Sequence, residues 1–341
     1  MKNQTISNKD IFNWIETKLK PSFCTSEEFI YNEMESQSGY CLPIIYQPFD
    51  ATKKHHWVDR GALYDYLYST GGEGKKLLDF GPGDGWPSLI IAPYAKEVIG
   101  IDSSEKRVKV CTENARRMKL DNTRFVSYIS GTKLPFEDNS FDGIMAASSI
   151  EQTPEPKKTI EELYRVLKPR CSIRINYEAL NRYKDGQEKD FWIAGLNENT
   201  SKIILFNRDL INEFVIQYGL TVSMSKEKLI NMLSLDNKIN FKQIMIPFLE
   251  EIKPVIVNVQ ACKTIHPSGN TLMSWLKEVG FNEVSPTYSG ALAAAKLFDQ
   301  FTDADRPKDL VSVDREIKRV VKIVSGLKAP LDLDPMITAI K

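Results

Sequence analysis

The stretch Lys75–Ser88, which reads KKLLDFGPGDGWPS, decides the fold of this chain. A short apolar run, typical of a buried strand, is followed at once by Gly81, Gly83 and Gly85, and the next residues begin a helical pattern. Open parallel sheets bind their ligands at such a turn, at the carboxyl edge of the strands. The stretch therefore predicts a ligand site at the end of a central strand.

Four further apolar runs follow along the chain, and they alternate with helical stripes. The runs read KEVIGID, TRFVSYI, FDGIMAAS and SIRINYE. The stripes place apolar residues at helical spacing at Val108, Cys111, Ala115 and Met118, and again at Ile160, Leu163, Tyr164 and Leu167. Strands that alternate with such helices pack as right-handed crossovers. We therefore predict an α/β fold with a doubly wound, mostly parallel sheet.

The spacing of the glycines indicates which kind of ligand the turn accepts. A dinucleotide site needs a third glycine three positions after the second, where the pyrophosphate approaches. Trp86 occupies that position here, which disfavours NAD or FAD. Asp79 and Asp102 add carboxylates near the same edge. Asp102 is placed to accept both hydroxyls of a ribose, although it could also cap the next helix with Glu105.

The order of these motifs resembles the class I S-adenosylmethionine-dependent methyltransferases over about residues 75–178. LLDFGPGDG is similar to the first motif of that family, IGID to its acidic ribose-binding tip, and LPFEDNSFDGIM to the segment that leads through its fourth strand. IEQTPEPKKTIEELYRVLKP and WLKEVGFNEV resemble later helices of the same fold. The most similar subgroup is the small-molecule type related to ubiquinone and menaquinone methyltransferases. The resemblance implies a Rossmann-like methyltransferase fold and S-adenosylmethionine as cofactor.

The resemblance also implies roles for individual residues. Gly81, Gly83 and Gly85 would let the backbone approach the methionine part, Asp79 would lie near its amino group, and Asp102 would bind the ribose. The full set of residues that we assign to the cofactor is Asp79, Gly81, Pro82, Gly83, Gly85, Asp102, Ser103, Gly131, Thr132 and Arg60. Many relatives carry an acidic residue four positions before LPF that contacts adenine, whereas this chain has Ser130 there.

Methyl transfer is an in-line displacement that depends mainly on the positioning of the two substrates. Positioning supplies roughly 7–11 kcal/mol, whereas a base adds roughly 100-fold to 10,000-fold. His55 and His56, in KKHHWVDR, are the candidate catalytic bases, and two solvated histidines at a helix start are the alternative. Arg60 is a candidate partner for the carboxylate of the donor, with an ordinary surface charge as the alternative.

The segments around the core are expected to have separate roles. The predicted organisation is an N-terminal helical lid (1–60), the S-adenosylmethionine-binding core (61–180), an inserted helical cap that binds the acceptor (181–264), the end of the core sheet (265–300) and a C-terminal helical tail (301–341). Within these segments, GALAAAKLF fits either a helix or a closing strand. Val313, Ile317 and Val321 give the tail an apolar face that would dock on the body.

Composition limits the classes of partner. The chain has 341 residues and a formal net charge of +0, so it has no overall field that would attract nucleic acid or an acidic membrane. No apolar run approaches the roughly 18 residues of a membrane-spanning helix. The polar opening MKNQTISNKD shows no signal-peptide pattern, so we expect a cytoplasmic location. The five cysteines are widely spaced, without a C-x-x-C pair, which predicts reduced, mostly buried thiols. The sequence shows no compact cluster of His, Asp and Glu at ligand spacing, so it does not indicate a metal site.

These observations predict an enzyme that transfers a methyl group from S-adenosylmethionine to an O, N or C nucleophile of a small molecule. Nucleic-acid amine methyltransferases of this fold usually carry an Asn/Asp-Pro-Pro-aromatic motif after the fourth strand, whereas this chain reads AASSIEQTP. A protein substrate and a binding or scaffold module without turnover are further alternatives. Trp86 disfavours a nicotinamide oxidoreductase. The sequence does not indicate an oligomeric state.

Overall fold

A computed structural model describes residues 8–25, 28–29, 48–177, 191–233, 244–331 and 336–341 of the chain. The chain divides into two compact units, Met1–Gly39 with Leu180–Ser268 and Tyr40–Ala179 with Gly269–Lys341. We call the second the core unit, because it contains the glycine turn, and the first the accessory unit.

The described helices are, in chain order, α1 (Asn8–Trp14), α2 (Lys54–Ser69), α3 (Ser88–Ile91), α4 (Glu105–Arg117), α5 (Pro156–Val166), α6 (Lys226–Leu233), α7 (Ile246–Ile252), α8 (Gly269–Val279), α9 (Gly290–Gln300) and α10 (Leu310–Val324). The described strands are β1 (Ser22–Phe23), β2 (Lys76–Phe80), β3 (Glu97–Asp102), β4 (Thr123–Ser127), β5 (Phe141–Ala147), β6 (Leu167–Asn176), β7 (Phe191–Asn197), β8 (Thr200–Asp209), β9 (Phe214–Val222), β10 (Ile256–Ile265), β11 (Asn282–Thr287) and β12 (Met336–Ile340).

The core unit is built on a sheet with the strand order β11-β12-β6-β5-β2-β3-β4. Strands β2 to β6 run parallel to one another, whereas β12 is antiparallel to both β6 and β11. The five predicted strands and the predicted α/β class are therefore confirmed. Strand β2 lies between β3 and β5, so the glycine turn follows a central strand where the chain order of the sheet reverses.

Both faces of this sheet are covered, which explains the nearly continuous apolar runs in its strands. On one face, Leu78 and Ile99 pack in one cluster with α5 and α8. On the other face, Leu77 and Val98 pack in a cluster with α2, α9 and α10. Hydrophobic burial from two sides thus fixes the central strand whose end carries the turn.

The accessory unit corrects the prediction of a helical cap over 181–264. Its described strands form a sheet with the order β1-β10-β9-β8-β7, antiparallel from β10 to β7, together with the short helices α6 and α7. The physical reason is the density of β-branched and aromatic residues, which pack well on a pleated surface. The hairpin between β8 and β9 turns at Asp209, whose carboxylate accepts backbone hydrogen bonds from Ile211 and Asn212.

The chain ends also differ in part from the prediction. Helix α1 and its continuation Ile15–Leu19 confirm the predicted helical start. Strand β1, however, pairs with β10 and belongs to the accessory sheet. Helix α2 begins at Lys54, before the predicted boundary at residue 60. The segment 1–60 is thus not a helical lid alone. In the tail, α10 is confirmed with its apolar face buried, whereas β12 is a strand in the core sheet and corrects the prediction of a wholly helical 301–341. GALAAAKLF lies within helix α9.

Two further features of the sequence have structural counterparts. None of the helices in the described ranges combines the length and the apolar character needed to cross a bilayer. Cys24, Cys111, Cys171 and Cys262 are free thiols, and Cys41 lies outside the described residues.

Candidate functional site

The turn after β2 is held in backbone conformations that favour glycine. Gly81, Gly83 and Gly85 have φ angles of +74°, +61° and +115°. The Gly81 N–H donates to the carbonyl of Ile101 on the neighbouring strand at 2.9 Å, which fixes the start of the turn. L-residues adopt these conformations only with strain, so the three glycines are needed for the shape of the turn itself.

The three glycines differ in what surrounds them. A Cβ on Gly81 would lie 2.5 Å from the Cβ of Ser149, so that position is closed by the protein. A Cβ on Gly83 would meet only Nη1 of Arg107, at 2.9 Å, which is the far end of a flexible side chain. Gly83 is therefore the position where a ligand can approach the backbone closely.

Helix α4 supports the turn from one side through two hydrogen bonds. The Cys111 thiol donates to the carbonyl of Gly83 at 3.2 Å, and the Asn114 amide donates to the carbonyl of Asp84 at 3.0 Å. Sequence reasoning placed Cys111 on an apolar stripe but did not identify Asn114. The available signal was a polar residue next to that stripe, since Asn114 is almost completely buried.

Asp102 lies at the end of β3 and faces the glycine turn. One carboxylate oxygen accepts the Gly83 N–H at 3.3 Å and the other accepts the Ser104 N–H at 2.9 Å. Burial raises the pKa of Asp102, and these N–H groups oppose the rise. The N-cap of α4 is Ser104, whose hydroxyl accepts the Arg107 N–H, so the alternative role of Asp102 as the cap is wrong. Ser103, between Asp102 and Ser104 in the chain, is half-buried.

Asp79 is completely buried at the end of β2. Its Oδ2 accepts the backbone N–H of Ser88 at 3.1 Å and the Ser88 hydroxyl at 2.6 Å. Its Oδ1 has no hydrogen-bond partner among the residues that the structure describes. Burial raises the pKa of Asp79 to about 7. A buried carboxylate oxygen without a donor is unfavourable, and a cationic group of a ligand would satisfy it.

Two aromatic side chains are in contact next to the glycine turn. The rings of Tyr66, on α2, and Trp86 meet edge to face with centroids 6.0 Å apart. Asp79 is one of the carboxylates that raise the pKa of Tyr66, so the phenol lies within its electrostatic reach. Within the described part of the chain, the Tyr66 hydroxyl and the Trp86 Nε1 are buried without a hydrogen-bond partner. Sequence reasoning used Trp86 only to disfavour a pyrophosphate and missed Tyr66.

The remaining predicted cofactor residues lie around the same sheet edge. Pro82 is buried, and its carbonyl accepts the Gly85 N–H at 2.9 Å. Gly131 and Thr132 lie in the turn after β4; Gly131 has a φ of +80°, and the Thr132 hydroxyl donates to the carbonyl of Ile129 at 2.7 Å. A contact of these two residues with adenine stays a prediction.

The structure contradicts the assignment of Arg60 to the carboxylate of the donor. Its guanidinium makes two hydrogen bonds to the Asp314 carboxylate, of 2.8 and 2.6 Å, and a third, of 3.0 Å, to the Tyr64 hydroxyl. This bidentate ion pair joins α2 to α10, and the positive charge of Arg60 is balanced by Asp314. The partner was not visible in the sequence, because Asp314 follows Arg60 by 254 residues.

The two candidate histidines lie at the start of α2 and differ in environment. Nδ1 of His56 accepts the Asp50 N–H at 2.8 Å, so the neutral ring carries its proton on Nε2 and has no free lone pair. Burial also lowers the pKa of His56. This geometry contradicts a role for His56 as a base. His55 is exposed, and its catalytic role stays a prediction.

Asp59, on α2, is a titratable residue that sequence reasoning missed. Its Oδ2 is buried and has no hydrogen-bond partner in the described ranges. Burial raises the pKa of Asp59 to about 6, and His55 opposes the rise. At about 100° per residue, positions 55, 59 and 66 lie within about 40° of one another around the helix. Asp59 and His55 therefore share the helix face of Tyr66.

These features together fit a cationic nucleoside without a diphosphate. The turn offers bare backbone at Gly83, Asp102 offers carboxylate lone pairs beyond those that its two N–H partners use, and Asp79 offers an oxygen that needs a cationic donor. S-adenosylmethionine carries a ribose, an ammonium and a sulfonium, so the residues present fit this cofactor.

Comparison with known proteins agrees with this interpretation. Residues 78–175 match a protein family described as Methyltransferase domain. The uncharacterized methyltransferase YcgJ of Bacillus subtilis is 34% identical over 93 residues, which are 27% of this chain and 36% of that protein. The demethylmenaquinone methyltransferase of Clavibacter sepedonicus is 34% identical over 102 residues, which are 30% of this chain and 40% of that protein.

The matches cover only part of each protein. The chain spans 36% and 40% of the length of these two curated relatives. A solved S-adenosylmethionine-dependent methyltransferase from Clostridium acetobutylicum aligns with 97% of this chain and 96% of its own at 11% identity and a TM-score of 0.47. Residues 78–175 form a methyltransferase domain.

Proposed function

We propose that the protein transfers the methyl group of S-adenosylmethionine to an O, N or C nucleophile of a small molecule. The observation that carries this proposal is the combination of an open left-handed glycine, Gly83, with the Asp102 carboxylate 3.3 Å from its N–H. When bound, the cofactor supplies an electrophilic methyl group on a sulfonium. The residues of the protein bind and orient the donor and deprotonate the acceptor.

The residues of the turn have distinct tasks in this proposal. Gly83 lets the backbone lie against the donor, while Asp102 accepts hydrogen bonds from the ribose and thereby fixes the direction of the nucleoside. Asp79 accepts a hydrogen bond from the ammonium through its Oδ1. Three contacts on two strand ends and one turn hold the reacting centre in place, and such positioning supplies roughly 7–11 kcal/mol of the barrier reduction.

Acceptors such as phenols and enols must also lose a proton. Asp59 is better suited to this task than His56, because its carboxylate has a pKa of about 6 and an oxygen without a partner in the described ranges. A base whose pKa lies near the operating pH is the most efficient one. We propose Asp59, assisted by the neighbouring His55, as the base.

Relatives support a small-molecule acceptor. A 27-O-demethylrifamycin SV methyltransferase and the demethylmenaquinone methyltransferase are among the relatives, and both names describe small-molecule acceptors. A cytoplasmic location belongs to the same proposal.

The test is transfer of a labelled methyl group. The protein is incubated with methyl-labelled S-adenosylmethionine and a panel of phenols, quinols, enols and amines, and the labelled product is identified by mass spectrometry. We expect label in one acceptor class, and much less label with the Gly83→Ala variant at a donor concentration near the Kd of the wild-type protein. Donor binding without transfer to any acceptor would favour the binding module, and the absence of both would refute the proposal.

A further inference from the structure

Three buried polar atoms of residues around the carboxyl end of β2 have no hydrogen-bond partners in the described part of the chain. They are Oδ1 of Asp79, the hydroxyl of Tyr66 and Nε1 of Trp86, and they come from a strand, a helix and the glycine turn. The Tyr66 and Trp86 rings are in contact, and Tyr66 interacts electrostatically with Asp79. Buried polar groups are nearly always paired in native proteins, so three in one place indicate a ligand group.

The chemistry of the three atoms defines that group. A carboxylate oxygen only accepts hydrogen bonds, an indole N–H only donates them, and a phenol hydroxyl can donate. The set therefore complements a ligand that presents one cationic donor and one nearby anionic acceptor. An α-amino acid is such a group, because its ammonium and carboxylate sit on the same carbon atom.

We propose that Tyr66 and Trp86 bind the α-carboxylate of the donor while Asp79 binds its ammonium, so that the amino-acid end is recognised as a zwitterion. This inference rests on the proposed function, since it concerns the same cofactor. It assigns a task to two residues that the glycine motif does not contain. It also predicts that the protein discriminates against donors that lack the carboxylate.

One of the carboxylates around Tyr66 is balanced by an ion pair. Asp65, the adjacent carboxylate, is compensated by Arg174 at 2.6 Å, and both are completely buried. Burial, with the carboxylates of Asp65, Asp79 and Glu151, raises the pKa of Tyr66 well above its ordinary value. The phenol therefore stays protonated at every working pH and remains a donor.

The experiment compares three ligands by calorimetry. S-adenosylhomocysteine carries the ammonium and the carboxylate, S-(5′-adenosyl)-3-thiopropylamine keeps the amine but lacks the carboxylate, and 5′-methylthioadenosine lacks both. Tyr66→Phe and Trp86→Phe each remove one donor and keep the ring. We expect each variant to lower the affinity for S-adenosylhomocysteine about ten- to hundred-fold, which is the effect of losing a hydrogen bond to a charged group. The affinity for the thiopropylamine should change by no more than about twofold.

Tyr68→Phe is the matched control, because Tyr68 lies on the same helix but its ring stacks on Tyr64, with centroids 5.9 Å apart. It should change none of the affinities. Thermal unfolding of the unliganded protein gives a second readout: removal of an unpartnered buried hydroxyl in Tyr66→Phe should leave the melting temperature unchanged or raise it.

Four results would overturn the inference. Equal weakening of all three ligands would show a structural role, and unchanged S-adenosylhomocysteine affinity in both variants would show that the carboxylate is bound elsewhere. If the wild-type protein bound none of the ligands, the proposed function would fail and the inference with it. Binding of all three with equal affinity by the wild type would refute carboxylate recognition alone.

Discussion

Replacement of Gly83 by alanine separates the cofactor site from the fold most cleanly. Gly83 has a φ of +61°, and its added Cβ would contact only the flexible end of Arg107, at 2.9 Å. The helices and strands around the turn would stay in place. The free energy of unfolding would fall by only about 1–2 kcal/mol, because an alanine in the left-handed conformation is strained. The new methyl group would project into the space where we place the donor.

The expected loss of affinity follows from this overlap. Forcing a methyl group into a close contact costs about 1–3 kcal/mol, which corresponds to about 5- to 150-fold weaker binding. Calorimetry with S-adenosylhomocysteine measures the affinity, and chemical denaturation measures the free energy of unfolding. Gly83→Ala should therefore lose far more affinity than its small change in unfolding free energy would suggest.

Gly71→Ala is the matched control. Gly71 has nearly the same φ, +59°, and a Cβ there meets nothing within 4 Å. It lies in the turn that precedes β2, at the opposite end of the strand. Both variants should lose similar stability, but only Gly83→Ala should lose donor affinity. Unchanged affinity in Gly83→Ala, or an equal loss in Gly71→Ala, would refute the assignment of the donor to this turn.

Four further predictions concern single residues. Asp102→Ala should weaken the binding of S-adenosylhomocysteine about tenfold in calorimetry and also lower the melting temperature, because it leaves the Gly83 and Ser104 N–H groups without their acceptor; unchanged affinity with reduced stability would show a structural role only. Donor affinity should fall up to about tenfold per pH unit below pH 7, because the pKa of Asp79 is about 7 and the protonated carboxyl cannot balance an ammonium; Asp79→Asn, titrated over pH 5–8, should abolish this dependence. Asp59→Asn should lower kcat without changing donor affinity and remove the limb of the pH–rate profile near pH 6, and a normal profile would exclude Asp59 as the base. Arg174→Gln should lose about 3–5 kcal/mol in denaturant unfolding, since it leaves the Asp65 carboxylate buried without its partner; a loss below 1 kcal/mol would contradict this.

The core sheet could be predicted because its information is local. Each parallel strand is a short apolar run bounded by turns, and each helix between them shows one buried stripe, so period and order suffice. Strand β12 could not be predicted in this way. Its five residues, MITAI, are too few to show a period, and their pairing with β6 joins positions about 160 residues apart, such as Arg174 and Thr338.

The accessory sheet shows a different limit. Lysine, asparagine and glutamate are scattered through 181–264, and we interpreted them as the polar face of helices. In β8 and β9 the decisive property is instead the density of branched side chains, with Ile203, Leu205, Val215 and Leu220 buried in one cluster or beside it. A strand buried on one face and a short amphipathic helix share much of their composition, and tertiary packing decides between them.

The residues of the site also differ in whether local sequence or tertiary packing determines their role. Gly83 and Asp102 lie within a contiguous motif and its nearest neighbour, and both were predicted. Tyr66 was missed because its contact with Trp86 forms only on folding, and Asp59 was missed because its burial does. Arg60 was misassigned for the same reason, since its partner Asp314 belongs to a helix near the other end of the chain.

The central claim is that the glycine turn accepts a sulfonium nucleoside and excludes a dinucleotide. One calorimetric experiment tests it directly: titration of the wild-type protein with S-adenosylhomocysteine and, separately, with NAD. We predict a saturable heat at one ligand per chain for the first and no heat for the second, because Trp86 stands where a pyrophosphate would need a glycine. Heat with NAD alone, or with neither ligand, would contradict the account.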